Sequence, residues 1–240
     1  MNILDSKILI TGANRGIGLS LVDKALAQGA AKIYATYRSQ SNLSVLEAYD
    51  ERVVPIYLDL GDKSTMTKLP ELVPSLNILI NNAGIFTAES LLEDTEIQLR
   101  NDLETNFFGT LAVTKALLPI LEREQAAAII NISSIAGLAA MPSFGGYSVS
   151  KAAIHSMTQS IRGKLKASDI SVHGVYPGPV ATRLTEDFDM ETTAAPVVAE
   201  NILNGVAQGI EEIFPDTLSQ QVGPLFLSSP KSLEQNFAEF

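Results

Sequence analysis

Lys7-Ile8-Leu9-Ile10-Thr11-Gly12-Ala13-Asn14-Arg15-Gly16-Ile17-Gly18 is the stretch on which the reading of this chain turns. Lys7–Ile10 is short, rich in aliphatic side chains and followed by a turn, as a buried strand is. The turn carries glycine at 12, 16 and 18 and opens a segment of helical period, Gly16–Gln28. At a helix N-terminus unpaired N–H groups and the positive end of the dipole face outward, and glycines let the backbone approach a pyrophosphate there. A tight strand-to-helix turn also needs glycine for steric reasons alone. The place of this turn, directly after the first strand, favours the dinucleotide.

Outward from this stretch the same alternation repeats. Lys32–Tyr37, Val53–Leu58, Asn77–Ile80, Ala127–Ile132 and Ile170–Tyr176 read as further buried strands, with Leu43–Ala48, Thr65–Val73, Thr95–Glu122 and Tyr147–Lys166 as helices between them. A last helix, Val197–Gln208, precedes a strand-like Glu212–Phe214 and a tail with Gly223-Pro224. This order predicts an α/β fold, a doubly wound parallel sheet with helices on both faces, in a single Rossmann-like domain over residues 1–240. At 46% hydrophobic and mean hydropathy +0.17 the chain can bury a large core, and no linker, repeat or low-complexity tract divides it. In Thr95–Glu122, Ile97, Leu103, Phe107, Leu111, Thr114 and Leu118 recur at helical spacing and are expected on one face, with Pro119 kinking or ending the helix. From Gly178 to Pro196 no period holds, and about 183–196 is expected to be a mobile loop or short helices over a site.

Seventeen Lys and Arg against 27 Asp and Glu give a formal charge of −10 with no basic stripe, which argues against nucleic acid as a partner. With no cysteine, disulfides, thiolate nucleophiles and cysteine-held metal sites are excluded. His155 and His173 stand in no metal-binding spacing and read as packing or interface residues, so no metal is expected. No secretory signal and no run of ~18 apolar residues is found, and a cytoplasmic protein with no membrane partner is expected.

At the end of the second strand, ~20 residues past the glycine turn, a carboxylate would bind an unphosphorylated ribose and an arginine a 2′-phosphate. Tyr37-Arg38 stands there with no acid, and Arg15 supplies a second guanidinium, which favours NADP(H) over NAD(H). Both arginines also fit the description of solvated surface residues. Asp59, past the third strand, is a candidate acceptor for the adenine amino group, or a helix cap. Tyr147 and Lys151, four apart, share one face of a helix. A phenol titrates near ~10 in water, and a cationic neighbour is what would make it an acid–base catalyst near neutral pH.

Thr11–Gly18, Asn81-Asn82-Ala83-Gly84, Asn106, Ser133-Ser134, Tyr147 with Lys151, and Pro177-Gly178-Pro179-Val180-Ala181-Thr182 resemble, in order, the motifs of short-chain dehydrogenases/reductases. The spacing T-G-x-x-x-G-x-G is similar to that of the compact subgroup, and the resemblance covers residues 7 to about 215. It implies that Tyr147 is the general acid in reduction and the base in oxidation. It implies too that Lys151 holds the nicotinamide ribose and lowers the Tyr147 pKa, while Ser134 hydrogen-bonds the substrate oxygen beside a structural Ser133. Asn106 resembles the family asparagine that holds a water linking Lys151 to solvent, or it is an amide that kinks its helix. Gly12, Asn14, Arg15, Gly16, Ile17, Gly18, Tyr37, Arg38, Asp59, Leu60, Asn82, Ala83 and Gly84 are implied to line the cofactor cleft, with Pro177, Gly178, Val180 and Thr182 on the nicotinamide side. For Asn81 and Asn82 a bracing role in the central sheet stays open. Phe86, Leu138, Met141, Phe144, Phe188 and Met190 fall where the resembling fold surrounds its substrate, or serve as rim packing. A pocket built of them is apolar, and the acidic stretch Glu186–Glu191 disfavours anions.

The resemblance thus implies an oxidoreductase that passes a hydride between NADP(H) and a ketone or aldehyde, or a secondary alcohol. The alternative on the same fold is a regulator that senses NADP(H) without turnover; such proteins typically lose the Tyr or Lys that stands here. Thr95–Glu122 and Tyr147–Lys166 correspond to the helices through which the family forms oligomers, so a homotetramer, or a homodimer, is expected. Leu225, Phe226, Leu227, Phe237 and Phe240 then either bury in a neighbouring subunit or fold back on their own chain.

Overall fold

The computed structural model describes residues 1–93, 95–186 and 189–239. The chain begins with β1 (Lys7–Ile10), α1 (Gly16–Ala27), β2 (Lys32–Tyr37), α2 (Leu43–Glu47) and β3 (Val53–Tyr57), then α3 (Lys63–Thr67), α4 (Leu69–Leu72) and β4 (Ile78–Asn81). Next come α5 (Glu96–Asp102), α6 (Thr110–Leu121), β5 (Ala127–Ile132), α7 (Gly145–Leu165) and β6 (Ile170–Val175). The remainder holds β7 (Val180–Ala181), β8 (Thr193–Ala194), α8 (Ala195–Ala207), β9 (Glu212–Ile213), α9 (Thr217–Ser228) and α10 (Pro230–Phe237).

Seven strands form one parallel sheet in the order β3-β2-β1-β4-β5-β6-β9, and β7 pairs with β8 apart from it. A parallel sheet covered on both faces needs strands that are apolar on both faces, which is what Ile8-Leu9-Ile10 and Ile78-Leu79-Ile80 provide. Ile8, Ile10, Ile78 and Ile80 pack with Leu21 and Val22 of α1 and Ile202 of α8; Leu9 and Leu79 pack on the opposite face with Val113, Leu117 and Ile120 of α6. The winding reverses between β1 and β4, so their carboxyl ends open a crevice, the place where open α/β sheets bind ligands.

Three expectations change. Thr95–Glu122 is two helices joined by a wide-turned, π-type stretch, Leu103–Gly109, and α6 runs two residues past Pro119. The expected apolar face coincides with the core face only in part: Thr114 is buried and Leu118 packs against the core, but Ile97 is 71% exposed, and a buried row also runs through Asp102, Asn106, Thr110, Val113, Leu117 and Ile120. Three of those six are polar, so hydropathy points to the neighbouring stripe. Thr65–Val73 is divided into α3 and α4, with Pro70 in the first turn of the second. The tail is helical through Gly223-Pro224, because Val222, Leu233 and Phe237 bury against Ile135, Met141 and Tyr176. Between Gly178 and Pro196 the described residues are irregular apart from the short β7 and β8 and the start of α8.

Candidate active site

The glycine turn is set by contact, not by flexibility. Gly12 and Gly16 take positive φ, +63° and +54°. A β-carbon on residue 18 would lie 2.2 Å from the Gly12 carbonyl oxygen and 2.7 Å from Asn82 Nδ2. Thr11 Oγ1 accepts the N–H groups of Asn82 and Ala83, both at 2.9 Å, and Asn82 Nδ2 donates to the carbonyls of Thr11 (2.9 Å) and Gly12 (3.2 Å). Asn82 therefore ties the turn to the end of β4, while Asn81 donates to Thr114 Oγ1 and Asn131 Oδ1 and braces the sheet. No side chain caps the N-terminus of α1, which leaves its first-turn N–H groups to an anion.

A cavity of about 1070 Å³ runs over the carboxyl ends of the strands. At its β2 end stand Arg15, Arg38, Ser39, Ser41 and Asn42; midway are Gly12, Gly16, Ala83 and Gly84; at the far end Met141, Phe144, Leu225 and Phe237. The open glycine wall, the uncapped helix and the two guanidinium groups fit a phosphorylated dinucleotide. Of the residues expected along the cleft, Asn14, Ile17, Tyr37, Leu60, Asn82, Pro177, Gly178, Val180 and Thr182 line it too. Gly18 packs behind the wall. Asp59 also does not line the cavity: its Oδ1 accepts the Gly61 N–H at 3.0 Å in a local turn. Phe86, Met190 and Glu191 border the cavity, whereas Leu138 does not; Asp187, Phe188 and Phe240 lie outside the described residues. His155 Nδ1 meets Tyr176 OH at 2.7 Å, and His173 bonds Ile210 O and Ser171 Oγ, so both are hydrogen-bonded packing residues.

Beside Phe86 and Phe144 three side chains converge. Tyr147 and Lys151 lie one turn apart on α7, with Lys151 Nζ 5.5 Å from the Tyr147 ring centroid and donating to Ile132 O at 2.9 Å. Ser134 makes a side-chain hydrogen bond to Tyr147. Ser133 Oγ instead donates to Lys151 O at 2.8 Å, which pins α7 to the end of β5. Asn106 Oδ1 accepts Ile85 N–H (2.8 Å) and its Nδ2 donates to Ile85 O (3.0 Å) and Ser150 Oγ (2.9 Å), so its amide anchors the segment after β4 to α7. Its backbone lies in the π-type stretch, where the helix widens.

Burial pushes the Tyr147 phenol up to about 12, with the Ser134 hydrogen bond opposing and the charge of Asp102 adding to the rise. Burial likewise pulls the Lys151 ammonium down to about 8, against the attraction of Asp102. Desolvation thus outweighs the lowering of the phenol expected from Lys151, whose ammonium is directed to the Ile132 carbonyl. Asp102 itself escapes sequence reading. It is fully buried and accepts Thr87 Oγ1 at 3.0 Å, yet it sits in a run of charges with Glu96, Arg100 and Glu104, and its only signal is its place one turn before Asn106.

A family profile described as short chain dehydrogenase matches residues 6–192. The chain belongs to the short-chain dehydrogenase/reductase family. This short-chain dehydrogenase/reductase is 30% identical over 239 residues to 3-amino-tetrahydro-pyrrolizinone reductase of Xenorhabdus hominickii, covering 97% of this chain and 80% of that one. A short chain dehydrogenase of Burkholderia cenocepacia in complex with NADP aligns at TM-score 0.90 and 29% identity over 99% of each chain. One from Burkholderia phymatum in complex with NAD aligns at TM-score 0.84 and 20% identity over 96% and 93%, a likeness of fold alone. As a family member the chain is an oxidoreductase on a Rossmann-like frame. Among the described residues no helix is long and apolar enough to cross a membrane, and no group of three or more metal-ligating side chains is found.

Proposed function

We propose that this chain is an NADP(H)-dependent reductase of ketones and aldehydes, running in reverse as a secondary-alcohol dehydrogenase. The observation that carries the reading is the convergence of Ser134, Tyr147 and Lys151 on a cavity whose other end holds an uncapped helix and two arginines. Gly12, Gly16 and the first turn of α1 hold the pyrophosphate. Arg15 and Arg38, with the hydroxyls of Ser39 and Ser41 beside them, hold the 2′-phosphate. Lys151 holds the ribose hydroxyls, and Val180 and Thr182 the carboxamide. The bound nicotinamide supplies or accepts the hydride.

Ser134 and Tyr147 present two hydroxyls to the substrate oxygen. With the phenol pushed up to about 12, Tyr147 is protonated at neutral pH and gives its proton to the carbonyl oxygen as hydride arrives at carbon. Phe86 packs edge-on against both Phe144 (5.0 Å) and Tyr147 (4.8 Å), and Met141, Leu225 and Phe237 extend this apolar wall. It favours an uncharged, apolar carbonyl compound. The segment 183–196 contributes Arg183, Leu184, Met190 and Glu191 to the cavity and is the substrate loop. Exposed Ile97, Phe108 and Val149 on and between α5, α6 and α7 support a homotetramer or homodimer.

The experiment is the initial rate of NADPH and, separately, NADH oxidation against aliphatic, aryl and cyclic ketones and aldehydes. Turnover with NADPH preferred is expected. Tight NADPH binding with no turnover of any carbonyl would instead mark a nucleotide-sensing regulator.

A further inference from the structure

Asp216 has no part in the chemistry above, although it borders the same cavity. It is 3% exposed and stands between β9 and α9. Its two oxygens serve different elements: Oδ1 accepts Ser219 N–H at 2.9 Å, and Oδ2 accepts Gly178 N–H at 2.8 Å. The first bond is a helix cap, returned by Ser219 Oγ, which accepts Asp216 N–H at 3.0 Å. Serine, threonine or asparagine would cap as well, without placing a carboxylate out of water. The second bond is what calls for an acid at this position.

Gly178 follows Pro177, whose carbonyl accepts Ile135 N–H at 3.1 Å and the Ser134 hydroxyl at 3.4 Å. The Pro177–Gly178 peptide is therefore gripped from the Ser134 side by one turn and from the other side by the start of α9. A β-carbon on residue 178 would lie 2.8 Å from Asp216 Oδ1, so the glycine admits the carboxylate. Beyond this grip, α9 and α10 place Val222, Leu225, Leu233 and Phe237 in the cavity wall.

We propose that Asp216 is a positioning residue that fixes the C-terminal helix pair to the Pro177–Gly178 peptide, and so sets the distance between the apolar wall and the Ser134–Tyr147 face. The kinetic part rests on the proposed reductase activity; the exchange part below does not. Asp216→Ser keeps an oxygen for the Ser219 N–H but is one bond too short to reach Gly178 as well. Ser219→Ala does the opposite, weakening the cap and sparing the Gly178 bond.

In Asp216→Ser, kcat/KM for the best ketone is expected to fall about tenfold to a hundredfold. The Gly178 amide should exchange hydrogen faster, and Tm should stay near that of Ser219→Ala. Ser219→Ala should lose a few degrees of Tm and keep wild-type kcat/KM. Wild-type kinetics with wild-type Gly178 exchange in Asp216→Ser overturns the proposal, as do kcat/KM losses that follow Tm equally in both variants. If Asp216→Ser does not fold, Asp216→Asn, which keeps the size and loses one acceptor, is measured in its place with the same two outcomes. If the wild type turns over no carbonyl, the reductase reading fails, and Gly178 exchange alone decides whether Asp216 holds the peptide.

Discussion

Lys151→Met isolates what the site costs the fold. Lys151 is 5% exposed, and burial holds its ammonium at about 8 against 10.5 for the free side chain. A group whose proton affinity is depressed by folding binds fewer protons in the native state, so the unfolded chain is favoured by the proton below pH 8 and stability recovers as pH rises to 10.5. The gap, at about 1.4 kcal/mol for each power of ten in proton affinity, comes to about 3 kcal/mol, present in full at pH 7. Methionine keeps the length and removes the charge. It also leaves Ile132 O without the Nζ donor at 2.9 Å, which offsets about 1–2 kcal/mol at every pH. The net expectation at pH 7 is a gain of about 1–2 kcal/mol, or about 2–8 °C in Tm for a chain of this size, with turnover lost. The difference between variant and wild type should then fall by about 3 kcal/mol toward pH 10.5 and change sign. Denaturant unfolding of both proteins, without cofactor, across that range measures it. A difference that stays flat with pH refutes the reasoning, because only the ammonium makes it titrate.

Other substitutions test other parts of the site. Tyr147→Phe should lower turnover by about 10²–10⁴-fold or more while NADPH affinity, measured by titration, stays near wild type; retained turnover removes Tyr147 from the mechanism. Arg38→Asp should reduce the kcat/KM preference for NADPH over NADH by about tenfold or more, from a charge-assisted contact of about 1.5–3 kcal/mol, and an unchanged ratio sinks the phosphate assignment. Gly18→Ala sets a methyl 2.2 Å from the Gly12 carbonyl oxygen and should destabilise by about 1–3 kcal/mol or more and weaken cofactor binding. Its control is Gly163→Ala, where a β-carbon would meet no described atom within 4 Å beyond its own stretch of helix and a gain of about 0.5–1 kcal/mol is expected; equal denaturation midpoints for the two would contradict the packing argument.

The sheet was legible because a strand covered on both faces has to be a continuous apolar run, and Lys7–Ile10, Lys32–Tyr37 and Ala127–Ile132 stand where the pattern puts them. The helix pattern misled where function intrudes on the core face. Asp102, Asn106 and Thr110 occupy buried positions that hydropathy assigns to solvent, and the neighbouring stripe with Ile97 took their place in the reading. The C-terminal helices were hidden by Gly223-Pro224, which reads as a breaker. In the structure a β-carbon at 223 would lie 2.7 Å from the Phe214 ring, so the glycine there serves close packing. Asp216-Thr217-Leu218-Ser219, an acid three residues before a serine, is the cap signal from which α9 could have been read. Motif residues along the cleft were readable because backbone approach restricts them to glycine or to one polar partner. Asp59 shows the limit of that logic: an acid at a strand end satisfies its own turn as readily as it faces a ligand.

The two perturbed groups also set a pH dependence for each direction of the proposed reaction. With Tyr147 at about 12 and Lys151 at about 8, phenol and ammonium are both protonated at neutral pH, and a protonated phenol is an acid ready for reduction. Oxidation needs the phenolate, and bringing a group from about 12 to neutrality takes about 7 kcal/mol. A unit charge at the 5.5 Å separating Lys151 Nζ from the Tyr147 ring centroid is worth about 3 kcal/mol at an effective dielectric of about 20, so Lys151 alone falls short. An oxidised nicotinamide bound beside Tyr147 would supply a second positive charge to favour the phenolate. Alcohol oxidation should therefore rise about tenfold per pH unit from pH 6 and flatten near pH 8, where Lys151 gives up its proton, while ketone reduction stays level over the same range. The check is kcat/KM in both directions with one substrate pair. An oxidation profile already flat from pH 6 would mean that the phenol ionises below pH 6, and that burial does not govern Tyr147 in the working enzyme.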